Sequence, residues 1–186
     1  MTKVYRIATD VNHYQYFFAE HESEEVKLLT DCLPRSMLWE PPSVYVYKPR
    51  LTTGDFYSFH QCSLITSPRA TIALAPFLEM AGELLPLPYN GQEYTLLNVT
   101  ECINCLDHER TTWLKDATGA NIVPLQYVFH NNRFATSSLF KIPETYGGEI
   151  LVVDRDQGPD EEFKSAIELA GLQGILFKEI GSNQDS

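Results

Sequence analysis

Three groups of residues in this chain have types and spacings that chemistry uses. Cys102, Cys105 and His108 recur at three-residue intervals. A structural zinc ion wants four thiolate or imidazole ligands, commonly as two close pairs, so a fourth would have to come from His60, Cys62 or a carboxylate brought in by the fold. The same CxxC spacing serves redox chemistry, but such a pair opens a helix with a depressed thiol pKa, and Glu101 and Asp107 push that pKa upward. A third reading is packing: Val99, Cys102, Ile103 and Leu106 recur at helical intervals, which places both thiols as small hydrophobes on the buried side of a short turn. The spacing favours packing, with no metal and no cofactor. The second group is "GDFYSFH", where Asp55, Tyr57 and His60 form the nucleus of a titratable pocket if the chain is a small enzyme. The third is the paired acids Glu161 and Glu162, which a first helical turn already explains. His13, His21 and His130 are scattered, and no Gly-rich phosphate loop, GxSxG elbow or HExxH helix is present. No catalytic residue is assigned.

The elements that must position these residues are mainly strands. β-Branched and aromatic content predicts strands at 3–7, 13–18 and 43–49, the last with Tyr45 and Tyr47 on one face and Val44 and Val46 on the other. Pro34, Pro41 and Pro42 break the intervening segment 32–42 into a long loop carrying Trp39. Ser67 and Pro68 are a good helix start, and Pro76 predicts a kink or a restart within a helix near 67–81. Phe77, Met80 and Ala81 are assigned to its core face. Asn90-Gly91 between 82–89 and 92–99 predicts a two-residue hairpin. Further strands are expected at 111–115, at 121–129 with Pro124 at an edge or bulge, at 148–154 and at 174–180. A C-terminal helix near 159–170 is expected to hold Pro159, Asp160, Glu161 and Glu162 in its first turn and to stop at Gly171. The class is α+β, with mixed, largely antiparallel sheets, in one domain over 1–186 whose tail, 181–186, frays.

Composition narrows the partners. Fourteen basic against 25 acidic residues give a net charge of −11, which repels phosphate backbones and anionic lipid alike, so direct nucleic-acid and membrane contacts are not expected. The acids cluster. Residues 17–31 carry Glu20, Glu22, Glu24, Glu25 and Asp31 against Lys27 alone, and residues 144–186 carry ten acids against Arg155, Lys164 and Lys178. Such blocks are either solvated surface or a docking face for a basic partner. The opening "MTKVYRIATD" lacks an apolar leader core, no stretch approaches a membrane span, and four cysteines are too few for a disulfide framework, so a reducing cytoplasm is expected.

Beyond these physical signals, "KVYRI", "VYVYKPRLTTGDFYSF", "SPRATIALAPFLEMAGELLPLPYNGQEYTLLNVTECINCLD", "LFKIPET" and "EFKSAIELAGLQGILFKEI" together resemble an immunity-protein family of bacterial polymorphic toxin systems, formerly a domain of unknown function and typified by a Myxococcus protein. The resemblance spans nearly the whole chain. It implies a cytoplasmic antidote that binds one cognate toxin domain stoichiometrically and blocks it, with no catalytic residues, alone or as a homodimer. Many such toxins are basic, so Glu20, Glu22, Glu24 and Glu25, together with Asp154, Asp156, Asp160 and Glu161, are the expected acidic rim. Trp39, Tyr57 and Tyr146 are candidate aromatic anchors where they stand exposed near these acids, and core residues otherwise. The alternatives from other classes stay open: a small enzyme around Asp55 and His60, or a zinc-stabilised adaptor using Cys102, Cys105 and His108.

Overall fold

The apolar and aromatic runs become strands and the two periodic runs become helices in a computed structural model that describes residues 1–21, 28–59, 63–134 and 136–183. In chain order the elements are β1 (Thr2–Thr9), β2 (Tyr16–Ala19), β3 (Val44–Tyr47), β4 (Phe56–Ser58), β5 (Leu64–Thr66), α1 (Pro68–Ala81), β6 (Gly82–Tyr89) and β7 (Gln92–Val99). They continue with β8 (Thr112–Lys115), β9 (Asn121–Gln126), β10 (Leu139–Phe140), β11 (Leu151–Asp154), α2 (Phe163–Ala170) and β12 (Ile175–Asn183). The strands form two four-stranded sheets, ordered β10-β11-β1-β12 and β4-β5-β7-β6, and two ribbons, β2-β3 and β8-β9. Every pairing between these strands is antiparallel, so the fold is α+β.

Burial follows the alternation of side chains along the strands. On β7, Leu97 and Val99 join a cluster with Leu74 and Leu78 of α1 and Phe163 and Ile167 of α2, while Tyr94 and Leu96 point to the opposite cluster. A strand covered on both faces reads as a continuous apolar run, and β7 is buried from Tyr94 to Val99. β1 divides likewise: Tyr5 and Ile7 meet the helices, and Val4 joins a third cluster with Cys105, Leu106, Phe129 and Phe140. The β6–β7 turn has φ of 49° at Asn90 and 74° at Gly91, the double positive φ that a two-residue hairpin demands.

Several expectations are corrected. α1 runs through Pro76 as one helix. Pro76 sits on the solvent side, where Ile72, whose carbonyl loses its helical partner, is 79% exposed, so the missing bond falls on the open face of the helix and not in the core. Met80 is exposed, and only Phe77 and Ala81 of the expected trio pack inward. α2 begins at Phe163, not in the 159–162 acids. Glu162 is extended (φ −123°, ψ 119°), and its carboxylate turns back to accept from the Arg155 N–H at 2.8 Å instead of facing the helix start. Strand β12 continues to Asn183, past the expected onset of fraying. The short strands β4, β5 and β10 were not expected. Pro124 does sit opposite Trp113 beside a register shift, as a bulge-prone proline should. No helix among the described residues is long and apolar enough to cross a membrane.

Candidate protein-docking face

The β2-β3 ribbon carries the most unusual surface of the molecule. Its register sets Tyr16 opposite Tyr47 and Phe18 opposite Tyr45. Opposed residues in an antiparallel pair project to the same side, so four aromatic rings share one face. Ring centroids lie 5.2 Å apart for Tyr16 and Tyr47, 5.1 Å for Phe18 and Tyr47, and 6.1 Å for Phe18 stacked on Tyr45. Phe18, Tyr45 and Tyr47 are each more than 40% exposed. Soluble proteins seldom leave such an apolar patch contiguous unless something binds it.

The other face of the same ribbon packs into the core. Phe17 is buried in a nest of Tyr57, Tyr89 and Tyr94, at centroid separations of 5.0–5.2 Å. Val44 and Val46 pack in the same cluster. Aromatic residues at 16 and 18 therefore cannot turn inward without ejecting Phe17 from its nest. Lys48 places its ammonium 5.8 Å from the centre of the Tyr16 ring, showing that this face accepts a cation. At the far end the Glu20 N–H donates to the Ser43 carbonyl at 2.9 Å and Glu20 is exposed. The acidic run follows immediately, with Glu22, Glu24 and Glu25 outside the described residues.

The loop into β3 is pinned by a carboxylate. Glu83 accepts from the backbone N–H groups of Arg35 and Ser36 at 2.5 and 3.1 Å and from Asn98 Nδ2 at 3.0 Å. Burial pushes the Glu83 carboxyl up, but these hydrogen bonds outweigh it and hold the pKa below its ordinary value. Arg35 also pairs with Asp31. Trp39, half-buried, donates its indole N–H to the Pro86 carbonyl at 2.9 Å and packs on the Phe17 cluster, so it supports the ribbon from the side instead of standing free. Met37 and Leu38, in the turn just before it, are strongly exposed.

The remaining expected residues fall elsewhere. Tyr57 is buried and donates to the Gly54 carbonyl at 2.6 Å, so it is core and no anchor. Burial first, then neighbouring Tyr94, keeps its hydroxyl protonated. Tyr146 is 75% exposed in a left-handed conformation. It adjoins the turn at 28–30: a Cβ on Gly147 would lie 1.8 Å from the Thr30 carbonyl oxygen, and buried Lys141 donates to the Leu29 carbonyl at 2.6 Å. Tyr146 is thus placed beside the turn that ends at Thr30, next in sequence to Asp31, the last acid of the first run. Asp156, Asp160 and Glu161 are exposed and Asp154 half-buried, on the segment joining β11 to α2.

Asp55 is occupied by structure. Its carboxylate accepts from the Ser67 hydroxyl (3.0 Å), the Gln173 N–H (3.0 Å) and Arg69 Nη1 (3.3 Å), tying β4 to the start of α1 and to the loop before β12. His60 lies outside the described residues, as does Cys62. Cys105 is fully buried in the third cluster, where burial, then Glu144, pushes its thiol up to about 12. Cys102 departs from expectation. The segment is extended, with a bridge to Lys141, and the residue as a whole is exposed, although burial of the sulfur and the adjacent Cys32 thiol push it up to about 12. His108 pairs with Glu144 at 2.6 Å and packs against Trp113. Among the described residues no three His, Cys, Asp or Glu side chains converge as a metal ion would require.

The signal for Tyr16 and Phe18 was in the sequence: "YQYFF" next to "VYVY" gives two strands whose apolar residues outnumber what one buried face can take. No protein-family model matches the chain and no curated protein matches it, so the resemblance to immunity proteins rests on the quoted segments alone.

Proposed function

We propose that the chain is a cytoplasmic immunity protein that neutralises a cognate, basic toxin domain by stoichiometric contact, with the β2-β3 aromatic face as the centre of the interface. The observation that carries this reading is the four-ring face, three of its rings exposed, backed by buried Phe17 beneath it. Aromatic anchors dominate interface energies, and a preorganised patch loses little side-chain entropy when covered. The Lys48 ammonium over Tyr16 models how a partner's Lys or Arg meets these rings, and Glu20 with the following acids supplies the rim that steers a cation-rich partner. Asp154, Asp156, Asp160 and Glu161 add to the long-range attraction. Binding alone suffices, because an inhibitor that covers an active site needs no chemistry of its own.

The test is co-expression with the C-terminal domain of a large secreted protein, should an adjacent reading frame encode one. The expected result is a complex of defined ratio that protects cells. Protection without any complex would show that the chain acts on something other than the toxin.

A further inference from the structure

The sequence sets Cys102 beside Cys105, but the fold sets it beside Cys32. Lys141 joins the two segments. Its backbone bridges Cys102: the Ile103 N–H donates to the Lys141 carbonyl at 2.9 Å, and the Lys141 N–H donates to the Glu101 carbonyl at 2.8 Å. Its buried ammonium reaches the turn just before Cys32, donating to the Leu29 carbonyl at 2.6 Å. Cys32 itself has φ of 59°, a left-handed conformation that a residue with a Cβ seldom adopts, and its Sγ folds back to 3.8 Å from the Thr30 carbonyl oxygen. After burial, the contact that most affects the Cys102 thiol is a side-chain hydrogen bond with the Cys32 thiol. Neither residue is sealed off: Cys32 is half-buried and Cys102 exposed, whereas Cys105 is enclosed in the third cluster.

We infer that Cys32 and Cys102 are a site of reversible covalent modification, forming an intramolecular disulfide when the protein meets a low-molecular-weight disulfide such as oxidised glutathione. The Cys32 thiolate attacks one sulfur of the oxidant, whose S–S bond breaks; a mixed disulfide forms, and one glutathione departs and takes up a proton. Cys102 then gives up its proton and attacks the Cys32 sulfur, expelling the second glutathione as a thiol. Two protein thiols are thereby oxidised by two electrons, and the oxidant is reduced to two thiols carrying the two protons. Cys32 goes first because burial holds the Cys102 thiol protonated, and only the thiolate is a nucleophile. The same protonation makes Cys102 a poor leaving group, so the bond forms slowly and is reduced slowly. In a reducing compartment the pair stays a dithiol until such an oxidant accumulates. The bond staples the loop that leads to β3 onto the extended segment at Cys102 and leaves the aromatic face untouched, so it stands or falls independently of the docking reading.

The probe is oxidised glutathione, incubated with fully reduced, folded, full-length protein, quenched in acid and followed by peptide mass mapping. A Cys32–Cys102 crosslink is expected, with an intact mass lower by two hydrogens. In Cys102→Ser the reaction should stop at glutathione on Cys32, and Cys32→Ser should form no crosslink. Closing a loop from residue 32 to residue 102 should raise the Tm of oxidised wild type above that of reduced by about 10 °C, a shift that Cys32→Ser lacks. Glutathione adducts without a crosslink in wild type, a bond from Cys102 to Cys105 or from either cysteine to Cys62 in its place, a crosslink that forms only in denaturant, or a lower Tm after crosslinking would each overturn the inference.

Discussion

Replacing Asp55 separates a structural carboxylate from a catalytic one. Its side chain is 11% exposed and accepts two hydrogen bonds of 3.0 Å, from Ser67 Oγ and from the Gln173 N–H, besides the ion pair with Arg69. The Arg69 side chain is 61% exposed, so that pair contributes little. Asp55→Ala leaves the other two donors without their acceptor at a part-buried site. At about 1.5 kcal/mol each, the loss is about 3 kcal/mol, which lowers Tm by about 6–12 °C in a chain of this length. Asp55→Asn should cost only about 1 kcal/mol: its oxygen accepts from Gln173, while its NH2 turns to Ser67 Oγ, which can accept. Calorimetry of both variants beside wild type gives the ranking directly. Equal stability in all three, or a toxin-protection defect in the still-folded Asn variant as deep as that of Ala, would refute the structural assignment.

Other substitutions probe other parts of the frame. Phe17→Ala empties the nest formed by Tyr57, Tyr89 and Tyr94 and should cost about 3–5 kcal/mol in denaturant unfolding, with loss of the ribbon's near-ultraviolet dichroism. Glu162 is buried, Oε2 has no hydrogen-bond partner, and burial raises its pKa, with Asp154 adding to the rise. Folding therefore favours its protonated form, and the native state loses stability as pH rises from the unfolded carboxyl value through the raised folded one. Glu162→Gln should stabilise the protein by about 1 kcal/mol at pH 7, an advantage that shrinks toward pH 4. Glu83 has the opposite sign: its folded pKa is depressed, so its contribution is present above the ordinary carboxyl value and is lost as pH falls through the folded one. Trp39 fluorescence should report loosening of the 33–39 loop on acidification, and Glu83→Gln should show the loosened signal already at neutral pH.

Much of the frame was legible because local signals agreed with tertiary context. Asn90-Gly91 fixed one hairpin and Ser67-Pro68 one helix start, and Gly171 ends α2 with φ of 62° as its position suggested. The failures share a cause. β4, β5 and β10 are two or three residues long, too short to show a period of two, and exist because neighbouring strands pair with them. Pro76 was read as a break because sequence does not reveal that the missing bond falls on the open face of the helix. At the site, alternation in "VYVY" correctly put Tyr45 and Tyr47 on one face, but nothing local says whether that face or the valine face is buried. Cross-strand pairing with Phe17 decides it. Whether Tyr57 was anchor or core stayed open for the same reason, and Cys102 was misplaced because its segment is held extended by Lys141.

The most direct measurement is the affinity of wild type and of a Phe18→Ser, Tyr45→Ser double variant for the toxin domain that the proposed function requires, with folding checked by dichroism. Both side chains lie on the solvent face, so stability should hold while affinity falls about a hundredfold or more, as loss of two central anchors implies. Undiminished affinity in a folded double variant would contradict the claim that this face is the interface.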